Sequence, residues 1–110
     1  PESFVAARRR RGTDVSVAVL DEGTSARALS LARDGRERGF STVVDLSGRT
    51  LKKQLKAASE TGALFVVLLG LEELGEDTAA LKDMGTGEQT PVKLDGLVSR
   101  IAAEMERQNG

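Results

Sequence analysis

The chain has 110 residues, 39% of them hydrophobic, with 16 Lys and Arg set against 17 Asp and Glu for a formal net charge of −1. That length makes one domain with one core. With no Cys, His, Trp or Tyr, the composition excludes disulfides, thiolate nucleophiles and Cys-ligated zinc, and it removes the commonest general base.

Residues 1–13 carry no sustained periodicity and include Arg8, Arg9, Arg10 and Arg11. They read as a linker or N-terminal arm, with residues 14–110 as the folded domain. No apolar segment of the signal-peptide kind follows the basic run. Pro1 is not a translation start, so a processed chain or a piece of a longer one is expected. Val15, Val17 and Val19 alternate with Ser16, Ala18 and Leu20, which predicts an inner strand apolar on both faces. From Thr24 to about Arg38 the period becomes helical, with Ala28, Leu31, Ala32 and Gly35 on one face and Gly39 as the stop.

A short strand is expected over 41–46. A second helix is expected over 50–61, with Thr50 as N-cap, Leu51, Leu55 and Ala58 as its buried stripe and Gly62 as its end. Leu64 to Leu69 predicts a central strand covered on both sides. Two further strands, 78–84 and 88–93, flank the turn signal Gly85-Thr86-Gly87, and Pro91 places the second of them at a sheet edge. Leu94, Leu97, Val98, Ile101, Ala102 and Met105 form the stripe of a closing helix. The expected architecture is α/β: a mixed five-stranded sheet with three helices in three α/β/α layers. The longest apolar run, Ala63 to Leu69, is too short to span a bilayer.

Charge is distributed unevenly along this frame. Four basic residues, Arg49, Lys52, Lys53 and Lys56, fall between Asp45 and Glu60 with no acid among them. Lys52 and Lys53 lie in the first turn of the expected helix, where the macrodipole is already positive and a cation costs roughly 0.3–1 kcal/mol. An anion at that helix start would offset the cost, since free N–H groups, dipole and lysines would all face it. The competing reading is a solvated basic face. Acids gather at two strand ends instead: Asp21 and Glu22 after the first strand, Glu72, Glu73, Glu76 and Asp77 after the third. With strand order 2-1-3 the two groups border one crevice at the topological switch point. Glu76 and Asp77 read as ordinary solvated loop residues. No phosphate-binding loop or dinucleotide fingerprint is present. Of the aromatic residues, Phe40 and Phe65 read as core, which leaves the Arg49 guanidinium as the candidate for stacking on a base.

The run Asp45-Leu46-Ser47-Gly48-Arg49-Thr50-Leu51-Lys52-Lys53-Gln54-Leu55-Lys56 closely resembles the C-terminal anticodon-binding domain of histidyl-tRNA synthetase, a class II aminoacyl-tRNA synthetase. The resemblance continues through Gly62-Ala63, Gly70, Glu72-Glu73-Leu74, the Thr86-Gly87-Glu88-Gln89 hairpin and Val92-Lys93-Leu94-Asp95, over about residues 14–107. Where the family commonly carries a Pro-Leu-Gly-Glu type run, this chain has Val19-Leu20-Asp21-Glu22, and Gly70-Leu71 stands in place of Gly-Glu.

The resemblance implies a domain that holds the anticodon stem-loop of histidine tRNA. Asp21, Glu22, Glu72 and Glu73 become candidate readers of base edges. Arg49, Lys52, Lys53 and Gln54 become candidates for the tRNA backbone or for stacking. It implies no catalytic residue, metal or cofactor in this domain. ATP and Mg belong to the catalytic domain of the parent ligase, a cytoplasmic homodimer in this family, with no membrane partner. The alternative expectation is a protein-interaction or regulatory module of a synthetase-like paralogue without tRNA specificity.

Overall fold

Val15–Val19 is buried along its whole length and forms β1 of a computed structural model that describes residues 13–109. The arginine run of the N-terminal arm and Phe4 lie outside the described residues. β1 pairs in parallel with β2 (Thr42–Asp45) on one side and with β3 (Phe65–Leu69) on the other. β4 (Thr78–Asp83) runs antiparallel on β3, and β5 (Gln89–Lys93) antiparallel on β4, giving the order β2-β1-β3-β4-β5. Pro91 therefore sits on an edge strand, where its missing N–H breaks no ladder.

The helices are α1 (Ser25–Glu37), α2 (Leu51–Glu60) and α3 (Leu97–Asn109). Because side chains alternate along a strand, the sheet feeds two cores. Val15, Val17, Val19, Phe65, Val67 and Leu69 pack with α1 and α3 through Ala28, Leu31, Leu97 and Ile101. Ala18, Val66, Leu68 and Ala80 pack on the other side with Ala58 of α2 and its half-buried Leu51 and Leu55. The three-layer mixed sheet expected from the sequence is the fold found. Among the described residues, no helix is long and apolar enough to cross a membrane.

Two details differ from the sequence reading. Leu94 belongs to a short 3-10 turn, Leu94–Gly96, that precedes α3, so its burial comes from the turn rather than from the helical stripe. The buried face of α2 also includes Gln54, only 2% exposed, which hydrophobic periodicity leaves out.

At the C-terminal ends of β1 and β3 the two chains touch before they part. The Leu20 N–H donates to the Leu69 carbonyl at 2.9 Å. Next comes Gly70, with φ +93, where an added Cβ would lie 2.7 Å from both the backbone N and the Cβ of Asp21. Gly48 also has positive φ, +74, but open space around it. Gly48→Ala is therefore expected to cost only the backbone strain, about 1–2 kcal/mol. Gly70→Ala should cost about 1–3 kcal/mol more, from overpacking against Asp21. Urea unfolding of the two variants measures the difference, and equal midpoint shifts would show that the approach at Asp21 carries no constraint.

Candidate nucleic-acid interface

The parting of β1 and β3 opens a cleft of about 550 Å3 whose walls include Asp21, Arg27, Gly70, Glu72 and Glu76. That is within the range of about 300–1,000 Å3 typical of pockets that take small organic groups. On the β1 side the chain enters a 3-10 turn, Glu22–Thr24, capped by Asp21, whose Oδ1 accepts from the Gly23 N–H at 3.1 Å. The Thr24 hydroxyl donates to the Asp21 carbonyl at 2.7 Å. On the β3 side a second 3-10 turn, Glu72–Leu74, ends at Gly75 with φ +80. The crevice expected from strand order therefore exists and brings Asp21 and Glu72 to one opening. Glu22 and Glu73 are exposed on the same two turns but do not line it.

Two further charges line the cleft. Glu76, read from the sequence as a plain loop residue, lines the wall; its neighbour Asp77 instead pairs with Lys93 at 3.1 Å. The dipole argument that singles out Lys52 and Lys53 applies equally to Arg27. It is a cation in the first turn of a helix, against the macrodipole.

The basic segment begins at the same end of the sheet, after β2. Asp45, at the end of β2, organises the loop that leads into α2. Its Oδ1 accepts from the Ser47 N–H at 3.0 Å and from the Ser47 hydroxyl, and its Oδ2 pairs with Arg49 Nη2 at 3.1 Å. Arg49 Nε donates to Ser47 Oγ at 2.9 Å. The guanidinium is thus held in place while the Arg49 side chain stays 47% exposed, an arrangement suited to stacking or to phosphate. Thr50 caps α2, its hydroxyl accepting from the Lys53 N–H at 3.3 Å. Lys52 and Lys53 follow, both exposed in the first turn.

Gln54 departs from the group the sequence placed it in. It is buried, and its Nε2 donates to the carbonyls of Val19 at 3.1 Å and Arg49 at 2.8 Å. The amide is spent inside the protein and is not presented to a ligand. Among the described residues, no group of three or more Asp and Glu is placed to hold a metal ion.

Burial pushes the Asp45 carboxyl up. The hydrogen bonds from the Ser47 hydroxyl and N–H and from Arg49, with the Arg49 charge, outweigh it and leave the carboxyl below its ordinary value. A depressed folded-state value contributes stability that is present above the unfolded aspartate value of about 3.9 and lost as pH falls through the folded one. Titration of the Asp45 carboxyl carbon by NMR should give a midpoint below the ordinary aspartate value. Arg49→Met should move that midpoint upward and weaken the stability lost on acidification, whereas an unmoved midpoint would show that Arg49 does not hold the carboxylate.

Comparison with known proteins places this geometry in a family. Residues 14–104 match the family model described as the anticodon binding domain. A histidine–tRNA ligase of Geobacillus thermodenitrificans is 40% identical over 98 residues, which is 89% of this chain and 23% of the relative. One from Archaeoglobus fulgidus is 43% identical over 84 residues, 76% of this chain and 20% of the relative. The crystal structure of histidyl-tRNA synthetase from Nostoc superposes with a TM-score of 0.77 at 28% identity, covering 86% of this chain and 23% of that one. The chain spans less than a quarter of the length of these relatives. With the cleft at the switch point and the capped basic helix start both inside the matched region, the chain belongs to the anticodon binding domain family, as an anticodon-binding domain of the histidyl-tRNA synthetase kind.

Proposed function

We propose that this domain holds the anticodon stem-loop of a histidine tRNA, its carboxylates meeting base edges and its cations meeting the backbone. Aminoacylation itself would take place in a catalytic domain outside this chain. The observation that supports this most is the placement of two opposite surfaces at the same end of the sheet. One is an acidic cleft with Asp21 and Glu72; the other is a basic helix start with Arg49, Lys52 and Lys53.

The histidine anticodon is GUG, and the Watson–Crick edge of guanine donates from N1 and N2. An ionised carboxylate only accepts, so it favours guanine over bases that present acceptors at the same positions. Asp21 and Glu72 are the readers in this scheme, with Glu22 and Glu73 at the margin of the cleft. Lys52, Lys53 and the N–H groups of the α2 start take phosphates. Arg49, held by Asp45 and Ser47, stacks or takes a phosphate. No catalytic residue and no cofactor is assigned to this domain. The parent would be a cytoplasmic, homodimeric histidine–tRNA ligase whose catalytic domain uses ATP and Mg.

Binding of a GUG stem-loop and an anticodon-substituted one, measured across a salt series, tests the scheme. The GUG loop should bind more tightly, and Asp21→Asn should narrow the preference. Lys52→Ala/Lys53→Ala should weaken both loops alike and reduce the log–log salt slope by about 1.4, at about 0.7 per phosphate on a single strand. Equal affinity for the two loops, with the double variant unchanged, would sink the scheme and favour the protein-interaction module.

A further inference from the structure

Gln54 is the one strongly polar side chain on the buried face of α2, and hydrophobic packing does not account for it. A leucine or methionine there would fill similar space without burying an amide. The amide Oε1 is buried with no hydrogen-bond partner among the described residues, which carries a desolvation cost of its own. What the side chain gains is made entirely by its other end.

Nε2 faces two carbonyls, and only a donor fits between them. One acceptor is Val19, the last residue of β1, two positions before Asp21. The other is Arg49, immediately before the N-cap of the helix that carries Lys52 and Lys53. The main chain separates these two carbonyls by thirty residues, and one amide group joins them. The β1–β2 ladder that also ties the two segments ends at Ala18 and Asp45, and the Leu20 N–H bonds the Leu69 carbonyl of β3; beyond these the side-chain restraints at each end are local. Asp21 is tied to Gly23 and Thr24, and Arg49 is tied to Ser47 and Asp45.

We propose that Gln54 is a positioning residue that fixes the distance between the acidic cleft and the basic helix start, so that base reading and backbone holding share one register. The inference rests on the function proposed above. A loop gripped by its phosphates presents its bases at a set distance, and a cleft free to shift relative to the helix start would read them poorly. Gln54 would touch no RNA and would act only through the Val19 and Arg49 carbonyls.

Gln54→Met keeps the volume and removes the donor; Gln54→Glu keeps the shape and cannot donate when ionised. Two readouts are taken on the 110-residue chain. The first is the affinity ratio between GUG and anticodon-substituted stem-loops, together with the salt slope. In Gln54→Met, which loses both hydrogen bonds, the ratio should fall by about tenfold or more, while the slope that reports phosphate contacts stays unchanged. The second needs no RNA: NMR shifts of the residue 51–53 amides on introducing Asp21→Asn. These should respond in the wild-type background and cease to respond in Gln54→Met.

A Gln54→Met chain that loses thermal stability but keeps both the affinity ratio and the amide response would overturn the proposal and leave Gln54 as packing. A Gln54→Glu chain that keeps both at a pH where the introduced carboxyl is shown to be ionised would overturn it as well. If the wild-type chain does not discriminate the two loops, the functional reading fails. The amide response then decides the linkage alone, its loss in Gln54→Met supporting it and its persistence overturning it.

Discussion

The backbone approach of Gly70 to Asp21 is the constraint on which the site depends. β1 and β3 run in parallel register for five residues and remain joined through the Leu20 N–H to the Leu69 carbonyl. Immediately beyond, β1 turns away to α1 on one face of the sheet, while β3 returns through a 3-10 turn to its neighbouring strand β4. With no Cβ at Gly70 the turns can begin while the backbones are still in contact, so the two acidic segments start from one point. A side chain there would push the turns apart at their root, and Asp21 and Glu72 would no longer face one opening. The cleft is a consequence of sheet topology, and the glycine sets how narrowly it begins.

Two opposite electrostatic surfaces lie within that frame, and a net charge near zero is compatible with both. The α2 start carries Lys52 and Lys53 just after Arg49, and Asp21, Glu72 and Glu76 line the cleft. A surface that coats a duplex has no use for the acids. A surface that holds a loop by its backbone and reads its bases needs both. The same division bears on the scarcity of aromatics. Phe65 is buried in β3 and Phe40 packs against the core, so neither offers a face to a base. A guanidinium plane held by Asp45 and Ser47 at the rim can provide one in their place.

Much of this frame was legible in the sequence because its signals are periodic. The all-buried β1 and β3, the helical stripes of α1 and α3 and the edge position of Pro91 follow from spacing and from Pro chemistry. The order 2-1-3, a condition in the sequence reading, is the one found, and with it one crevice for Asp21 and Glu72. Gln54 was misplaced because periodicity sorts residues by hydrophobicity: a buried amide answering two carbonyls from distant segments looks, in sequence, like any polar residue in a basic run. Glu76 was set aside because nothing in a loop sequence tells which side chains will line a cleft. Arg27 is open to the same dipole argument as Lys52 and Lys53, but in sequence it is one of several arginines on the same helix, alongside Arg33 and Arg36.

The placement of cations at helix starts carries the last step. Arg27 in α1 and Lys52 and Lys53 in α2 all occupy first turns, where each works against the macrodipole by roughly 0.3–1 kcal/mol. Two of the three helices thus bear the same local disadvantage, and both start at the end of the sheet where the cleft lies. Solvation of a charged face does not require this, because cations spread along the exposed side or gathered in the last turn would solvate as well without opposing the dipole. A partner that presents several negative charges at that end of the sheet, together with donors for the carboxylates between them, reverses the sign of the cost. A folded RNA loop is such a partner: its phosphates follow one edge and its unstacked bases present N–H groups on the other. On the proposed function, the disadvantage borne by the free domain would be recovered on binding such a loop.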